Sequence, residues 1–182
     1  MKVNRLLVVL FPGFEEAEAI VPLDILRRAG VEVVTASVTD RIEVCGAHAI
    51  TCKADQLLAE VKFELFDGVF IPGGAGVFKL QENIKILSML REFFEAGRWI
   101  AAICAAPVLL KCAGCLPKKF TAHDCVADQL PGCDTQNFVV VDGRILTGRG
   151  PGAVFPFAFE LIRRLTSDEV VLQLKKSMHY ED

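Results

Sequence analysis

The residues best placed to do chemistry meet at Cys104. It follows the apolar run Trp99-Ile-Ala-Ala-Ile103 and precedes Ala105, Ala106 and Pro107. A short apolar run with β-branched and aromatic members reads as a buried strand. Proline suits the first turn of a helix, where its missing N–H has no partner to lose. The spacing therefore puts Cys104 at a sharp strand-to-helix turn, with only alanines (101, 102, 105 and 106) around it. That is the logic of a nucleophile elbow, in which a strained turn pushes out one reactive side chain. A helix beginning just after it aims N–H groups and a positive dipole end at the sulfur, favouring thiolate. The alternative is a structural cysteine packed as a small hydrophobe.

Two further groups could serve such a thiol. Glu18 lies in the first turns of a helix after the first strand, and a protonated carboxyl there could donate to sulfur and move protons. Protonation at neutral pH needs burial; without it, Glu18 is an ordinary acid at a helix start, like Glu15 and Glu16. His123 lies in a loop after the elbow helix, as a base or merely solvated. Gly73 and Gly74 could turn N–H groups towards an oxyanion, or simply make a tight turn. Arg149, between glycines, could hold a carboxylate or brace its loop.

The elements that would position these groups alternate strand and helix. Residues 2–11 read as a strand buried on both faces. A helix follows from Glu15 to Arg28, with Ile20, Leu23 and Leu26 in phase, Pro22 as a kink and Gly30 as the stop. Residues 31–38 form a second strand, 41–52 a small hairpin about Gly46, and 57–61 a helical turn. Residues 66–71 form a third core strand, ended by Pro72-Gly73-Gly74. Asn83 to Glu95 reads as an amphipathic helix with Ile84, Leu87, Leu90 and Phe94 on one face. The strand to Cys104 and a helix from Pro107 to Ala113 come next. Residues 116–137 are loop. Residues 138–147 form a hairpin turning at Asp142-Gly143, and helices over 153–165 and 167–177 close the chain. This order predicts an α/β fold with a mostly parallel sheet covered on both faces, in one domain over 1–182. The site then lies outside the carboxyl ends of the strands, where the loops after Phe11 and Ile71, Cys104 and residues 148–152 converge.

Composition narrows the classes. The chain has 182 residues, 52% hydrophobic and 24% charged, and a net charge of −3. No run of Lys or Arg suggests a nucleic-acid surface. The apolar run Leu6 to Phe11 is too short for a membrane span or secretory signal, so the expected location is cytoplasmic. Seven cysteines, an odd number, argue against a disulfide framework. Cys112 and Cys115 form a CxxC pair, but no second pair stands at zinc-site spacing. Cys45, His48 and Cys52 do not supply four ligands, so no metal is expected.

In combination, several motifs closely resemble the ThiJ/PfpI superfamily, and within it the parkinsonism-associated protein deglycase branch. They are Gly13-Phe-Glu-Glu-Ala-Glu18, Pro22-Leu-Asp-Ile-Leu-Arg-Arg-Ala-Gly30, Ile71-Pro-Gly-Gly74, Ala101-Ala-Ile-Cys-Ala-Ala-Pro107 and Thr147-Gly-Arg-Gly-Pro-Gly152. The resemblance runs nearly end to end. It implies a flavodoxin-like three-layer sandwich, usually a homodimer, with no cofactor. It implies Cys104 as an oxidation-prone nucleophile, a protonated Glu18 hydrogen-bonded to it, and His123 as assistant base. It implies backbone N–H groups of Gly73, Gly74 and Ala105 around the substrate oxygen, Arg149 near the pocket, and Arg28 and Cys52 at a dimer interface. The sequence departs from that pattern at Ala47-His48, where arginine is common, and at Asp124-Cys125, where Pro-Leu is usual.

The expected activity is glutathione-independent conversion of a small α-oxoaldehyde such as methylglyoxal to a hydroxy acid, or the same chemistry on early glycation adducts. The alternative is a redox sensor and stress chaperone signalling through oxidised Cys104. An amidotransferase would need an acid soon after its histidine in a different order. A protease would need an oligomer-built site.

Overall fold

The computed structural model describes residues 4–181. Its strands are β1 Arg5–Leu10, β2 Glu32–Ser37, β3 Glu43–Cys45, β4 Thr51–Lys53, β5 Gln56–Leu57, β6 Gly68–Ile71, β7 Trp99–Ile103, β8 Val139–Asp142 and β9 Ile145–Gly148. Its α-helices are α1 Glu16–Arg28, α2 Ile84–Glu95, α3 Pro107–Ala113, α4 Val154–Leu165 and α5 Asp168–Ser177. Of the expected first strand, Lys2 and Val3 lie outside the described residues.

β1 is buried on both faces because helices cover both sides of the sheet it centres, and Leu6 to Val9 are wholly inaccessible. The seven-stranded sheet runs β5-β2-β1-β6-β7-β9-β8. All neighbours are parallel except β8 against β9, which the tight Asp142-Gly143 turn makes antiparallel. The α/β flavodoxin-like sandwich with a mostly parallel sheet is thus observed, and β3 and β4 form the separate small hairpin. The carboxyl ends of β1, β6, β7 and β9 share one edge, which brings Phe11, Pro72, Cys104 and Arg149 together.

Two helical faces differ from expectation. In α1 the core side is Ala19, Pro22, Ile25 and Leu26, whereas Ile20 is 40% exposed and Leu23 only partly covered. The helix continues through Pro22, which lacks the N–H that would bond the Glu18 carbonyl. In α2 the core side is Ile86, Met89, Leu90 and Phe93. Ile84 and Phe94 face outward. Both apolar stripes satisfy helical spacing, and only the direction in which α2 packs on β6 and β7 selects between them. The helical turn expected over 57–61 forms at 58–60, and Leu57 instead belongs to β5, a strand too short at two residues to leave a sequence pattern.

Adjacent phenylalanines test that correction. Phe93→Ala is expected to cost about 3–5 kcal/mol by cavity formation, and Phe94→Ala less than about 1 kcal/mol. Urea unfolding of the two variants measures the difference.

Candidate active site

Cys104 follows β7 directly, with φ of 63°. A non-glycine residue in this left-handed region carries strain, so the surroundings must hold it there. They do so from both sides. The Cys104 N–H donates to the Gly148 carbonyl at 2.8 Å, and the Cys104 carbonyl accepts from the His123 N–H at 2.9 Å. Gly148 has no room for a side chain, since a Cβ there would lie 2.7 Å from Phe157. The thiol-bearing residue is 8% exposed, and Ala105 and Ala106 are buried behind it.

Glu18 enters from α1. It is fully buried, and its Oε2 accepts the Gly73 N–H at 2.8 Å. Its Oε1 is buried without a hydrogen-bond partner. Gly73 separates the two reactive groups: a Cβ there would sit 2.5 Å from both Cys104 Cβ and Glu18 Oε2. The loops zip together behind them, with Glu15 N–H on the Gly73 carbonyl at 2.9 Å and Gly76 N–H on the Gly13 carbonyl at 3.0 Å. Gly74 has φ of 104°, which glycine alone adopts without strain.

Burial raises the Glu18 carboxyl from 4.5 to about 7, against the lowering effect of the neighbouring Cys104 thiol and the Gly73 N–H. Burial also pushes the Cys104 thiol up, as do the charge and hydrogen bonding of Glu18. The expectation that the helix start alone favours thiolate therefore needs correction. The Gly74 N–H works in favour of the thiolate but does not offset burial. A thiolate becomes accessible when Glu18 holds its proton, because the nearest negative charge then vanishes.

The expected oxyanion donors separate. The Gly73 N–H is taken by Glu18, whereas the Gly74 N–H interacts with Cys104. The Ala105 N–H donates to no protein group among the described residues. His123 is exposed, and its Nδ1 accepts the Cys125 N–H at 3.1 Å. That bond fixes the neutral ring with its proton on Nε2. His123 lines a cavity of about 350 Å³ with Phe138, Arg149, Gly150 and Gly152. Arg149 braces the cavity wall: its Nη1 donates to the Thr135 carbonyl at 2.9 Å and its guanidinium lies 4.7 Å from the Phe138 ring centre. Arg28 pairs with Asp24 at 2.8 Å on the surface, and Cys52 is half-buried in β4.

The model of the DJ-1/PfpI family matches residues 4–164. The chain belongs to the DJ-1/PfpI family. It is 35% identical over 176 residues to Arabidopsis thaliana protein DJ-1 homolog B, covering 94% of this chain but only 40% of that relative's length. It is 32% identical to the Caenorhabditis elegans glutathione-independent glyoxalase DJR-1.2, over 98% of each chain. A Thermococcus kodakarensis relative named a deglycase is 31% identical, over 88% of this chain and 99% of its own. Among solved structures, Drosophila melanogaster DJ-1beta superposes with a TM-score of 0.95 at 33% identity over all of both chains. Oxidized Toxoplasma gondii DJ-1 superposes with a TM-score of 0.93 at 35% identity, over 99% of this chain and 100% of its own.

Two departures within this DJ-1/PfpI chain acquire a structural account. His48 Nδ1 lies 3.0 Å from Glu16 Oε2 and 3.5 Å from Glu15 Oε1. Hydrogen bonding to Glu16 raises the His48 pKa. Burial works to raise Glu16, but hydrogen bonds from its own backbone, His48 and Ile50 hold it below the usual range. Glu15, Glu16 and His48 are also the one grouping of potential metal ligands among the described residues, but their donor atoms already serve one another and the hairpin backbone. Cys125, which motif reading left without a role, interacts electrostatically with both Cys104 and Glu18. Among the described residues no helix is long and apolar enough to cross a membrane.

A folded-state Glu18 value above the unfolded one means that the folded protein holds a proton which the unfolded chain releases. Stability should then fall as pH rises from 4.5 to about 7 and level off above that. Glu18→Gln removes this loss. Thermal unfolding at about pH 5 and about pH 8 should show wild type losing on the order of 3 kcal/mol more than the variant.

Proposed function

We propose that the chain is a cysteine-dependent, cofactor-free glyoxalase of the deglycase type, acting on methylglyoxal-class α-oxoaldehydes or their early glycation adducts. The observation that carries this reading is a strained, nearly buried Cys104 beside a fully buried carboxyl with one unpartnered oxygen. Such a carboxyl can hold a proton at neutral pH and exchange it with whatever forms on the sulfur. The C. elegans relative's name, glutathione-independent glyoxalase, supports the same chemistry.

In this mechanism Cys104 thiolate attacks the aldehyde carbon, and the carbonyl oxygen takes the Glu18 proton to become the hydroxyl of a thiohemiacetal, leaving Glu18 as a carboxylate. The Ala105 N–H is free to stabilise that oxygen as charge develops. Glu18 takes the proton from the former aldehyde carbon and returns it to the adjacent carbon, giving a lactoyl thioester. Water cleaves the thioester to lactate and regenerates the thiol; one methylglyoxal and one water make one lactic acid. His123, with Nδ1 occupied, offers its Nε2 side to this step.

We further propose a homodimer. Exposed Ile20 and Ile50 lie on the α1 and hairpin surfaces that also carry Arg28 and Cys52, and an apolar patch of this kind favours association. Sedimentation velocity is expected to give twice the chain mass, and Ile20→Glu to shift it towards monomer.

Conversion of methylglyoxal to lactate without glutathione tests the main reading. Wild type should be active, and both Cys104→Ser and Glu18→Gln should lose at least about a hundredfold in kcat/KM, in line with removal of a nucleophile or proton-transfer group. Full lactate production by either folded variant would reject the mechanism.

A further inference from the structure

We propose that Cys125 is the resolving cysteine for Cys104, capturing the peroxide-oxidised thiol as a Cys104–Cys125 disulfide before it reaches the sulfinate. The inference rests on Cys104 being the reactive thiol of the reading above. It adds a partner and a return path.

Position comes first. The His123 N–H is bonded to the Cys104 carbonyl at 2.9 Å, and the Cys125 N–H is bonded to His123 Nδ1 at 3.1 Å. A 3.1 Å bond from Val126 N–H to the His123 carbonyl folds the intervening residues into one tight turn. Cys125 is thus two residues, a reach of at most ~7 Å, from a residue bonded to the elbow backbone. A disulfide needs a Cα separation of ~4.4–6.8 Å, so closing the bond takes a shift of this turn towards the elbow. The turn lies outside the sheet and carries exposed Asp124 and Cys125, leaving it free to make that adjustment.

Side-chain electrostatics agree on direction. Charge on Cys125 raises the Cys104 thiol, and charge on Glu18 raises Cys125, so the three groups lie within electrostatic reach of one another. Asp124 is the other charged neighbour acting on Cys125. No other cysteine contributes to the electrostatics of Cys104. Both thiols are free, and they differ as a peroxidatic and resolving pair should: Cys104 is sequestered, Cys125 exposed.

The chemistry balances with a hydroperoxide as oxidant. Cys104 thiolate attacks one oxygen of hydrogen peroxide, the O–O bond breaks, and sulfenic acid and hydroxide form. Cys125 then attacks the sulfenic sulfur. The S–S bond forms, the S–O bond breaks, and the hydroxyl leaves with the Cys125 proton as water. Two thiols and one peroxide give one disulfide and two waters. An external dithiol supplies two electrons and two protons to reverse it. Without Cys125, a second peroxide carries the sulfenate to sulfinate, which ordinary thiols do not reduce.

The test treats wild type and Cys125→Ser with a modest molar excess of hydrogen peroxide, followed by non-reducing peptide mapping and a methylglyoxal assay before and after dithiothreitol. Wild type is expected to lose two hydrogens in a peptide pair linking Cys104 to Cys125, and to recover its activity with reductant. Cys125→Ser should be trapped by dimedone at Cys104 and show a several-fold rise in sulfinate, with activity that reductant does not restore. Equal sulfinate in both proteins, with no linked peptide in wild type, would overturn the proposal while leaving a reactive Cys104 intact. Absence of any oxidation at Cys104 in either protein, with other cysteines modified, would overturn both.

Discussion

A carboxyl and a thiol share one dry space, and the rest of the fold serves to keep them there. Neither Glu18 nor Cys104 favours its charged form when buried, and a charge on Glu18 further disfavours thiolate, whereas the thiol eases the charge on Glu18. Together they carry one negative charge far more readily than two, so their titrations are coupled. The Gly73 N–H secures one carboxylate oxygen and leaves the second unspent. Any ligand that accepts or gives a proton on sulfur therefore meets a partner already aligned.

Holding that pair needs room removed rather than added. Gly73 stands where a methyl group would strike both reactive side chains, and Gly148 where it would strike Phe157. Phe157 in turn packs on Phe70 from β6, with ring centres 5.2 Å apart. The sheet core thus reaches to the elbow, and the φ of 63° at Cys104 is maintained by the same packing that stabilises the domain. Backbone bonds to Gly148 and His123 finish the restraint.

Much of this was legible in sequence because backbone requirements leave residue signatures. Pro107 and the four alanines marked the elbow, Gly73-Gly74 the turn, and Gly30 a helix end with φ of 78°. The alternation of strand and helix gave the sheet. What stayed hidden depended on long-range packing. Helical spacing admits two apolar stripes on α2, and the chain alone does not say that Phe93 rather than Phe94 meets the sheet. Nor does it say that the Gly73 N–H is spent on Glu18, a partner 55 residues away. Whether a first-turn acid is solvated or buried is decided by what folds over it, and here the β6 loop does so. Arg149 shows the same limit: its flanking glycines allowed either a ligand clamp or a loop brace, and only the fold shows its contacts with Thr135 and Phe138.

The strand order also shapes how this molecule meets its own kind. On one side the sheet stops at β5, a strand of two residues, Gln56 and Leu57, before the chain turns into a short 3-10 helix. An edge that short offers at most a couple of rungs to a foreign strand, too few to hold it in register. The longer and more apolar rim is β8, with Val139, Val140 and Val141 in succession. Cross-β pairing between copies is thereby blunted along one flank of the sheet and left to the twist and cover of β8 along the other.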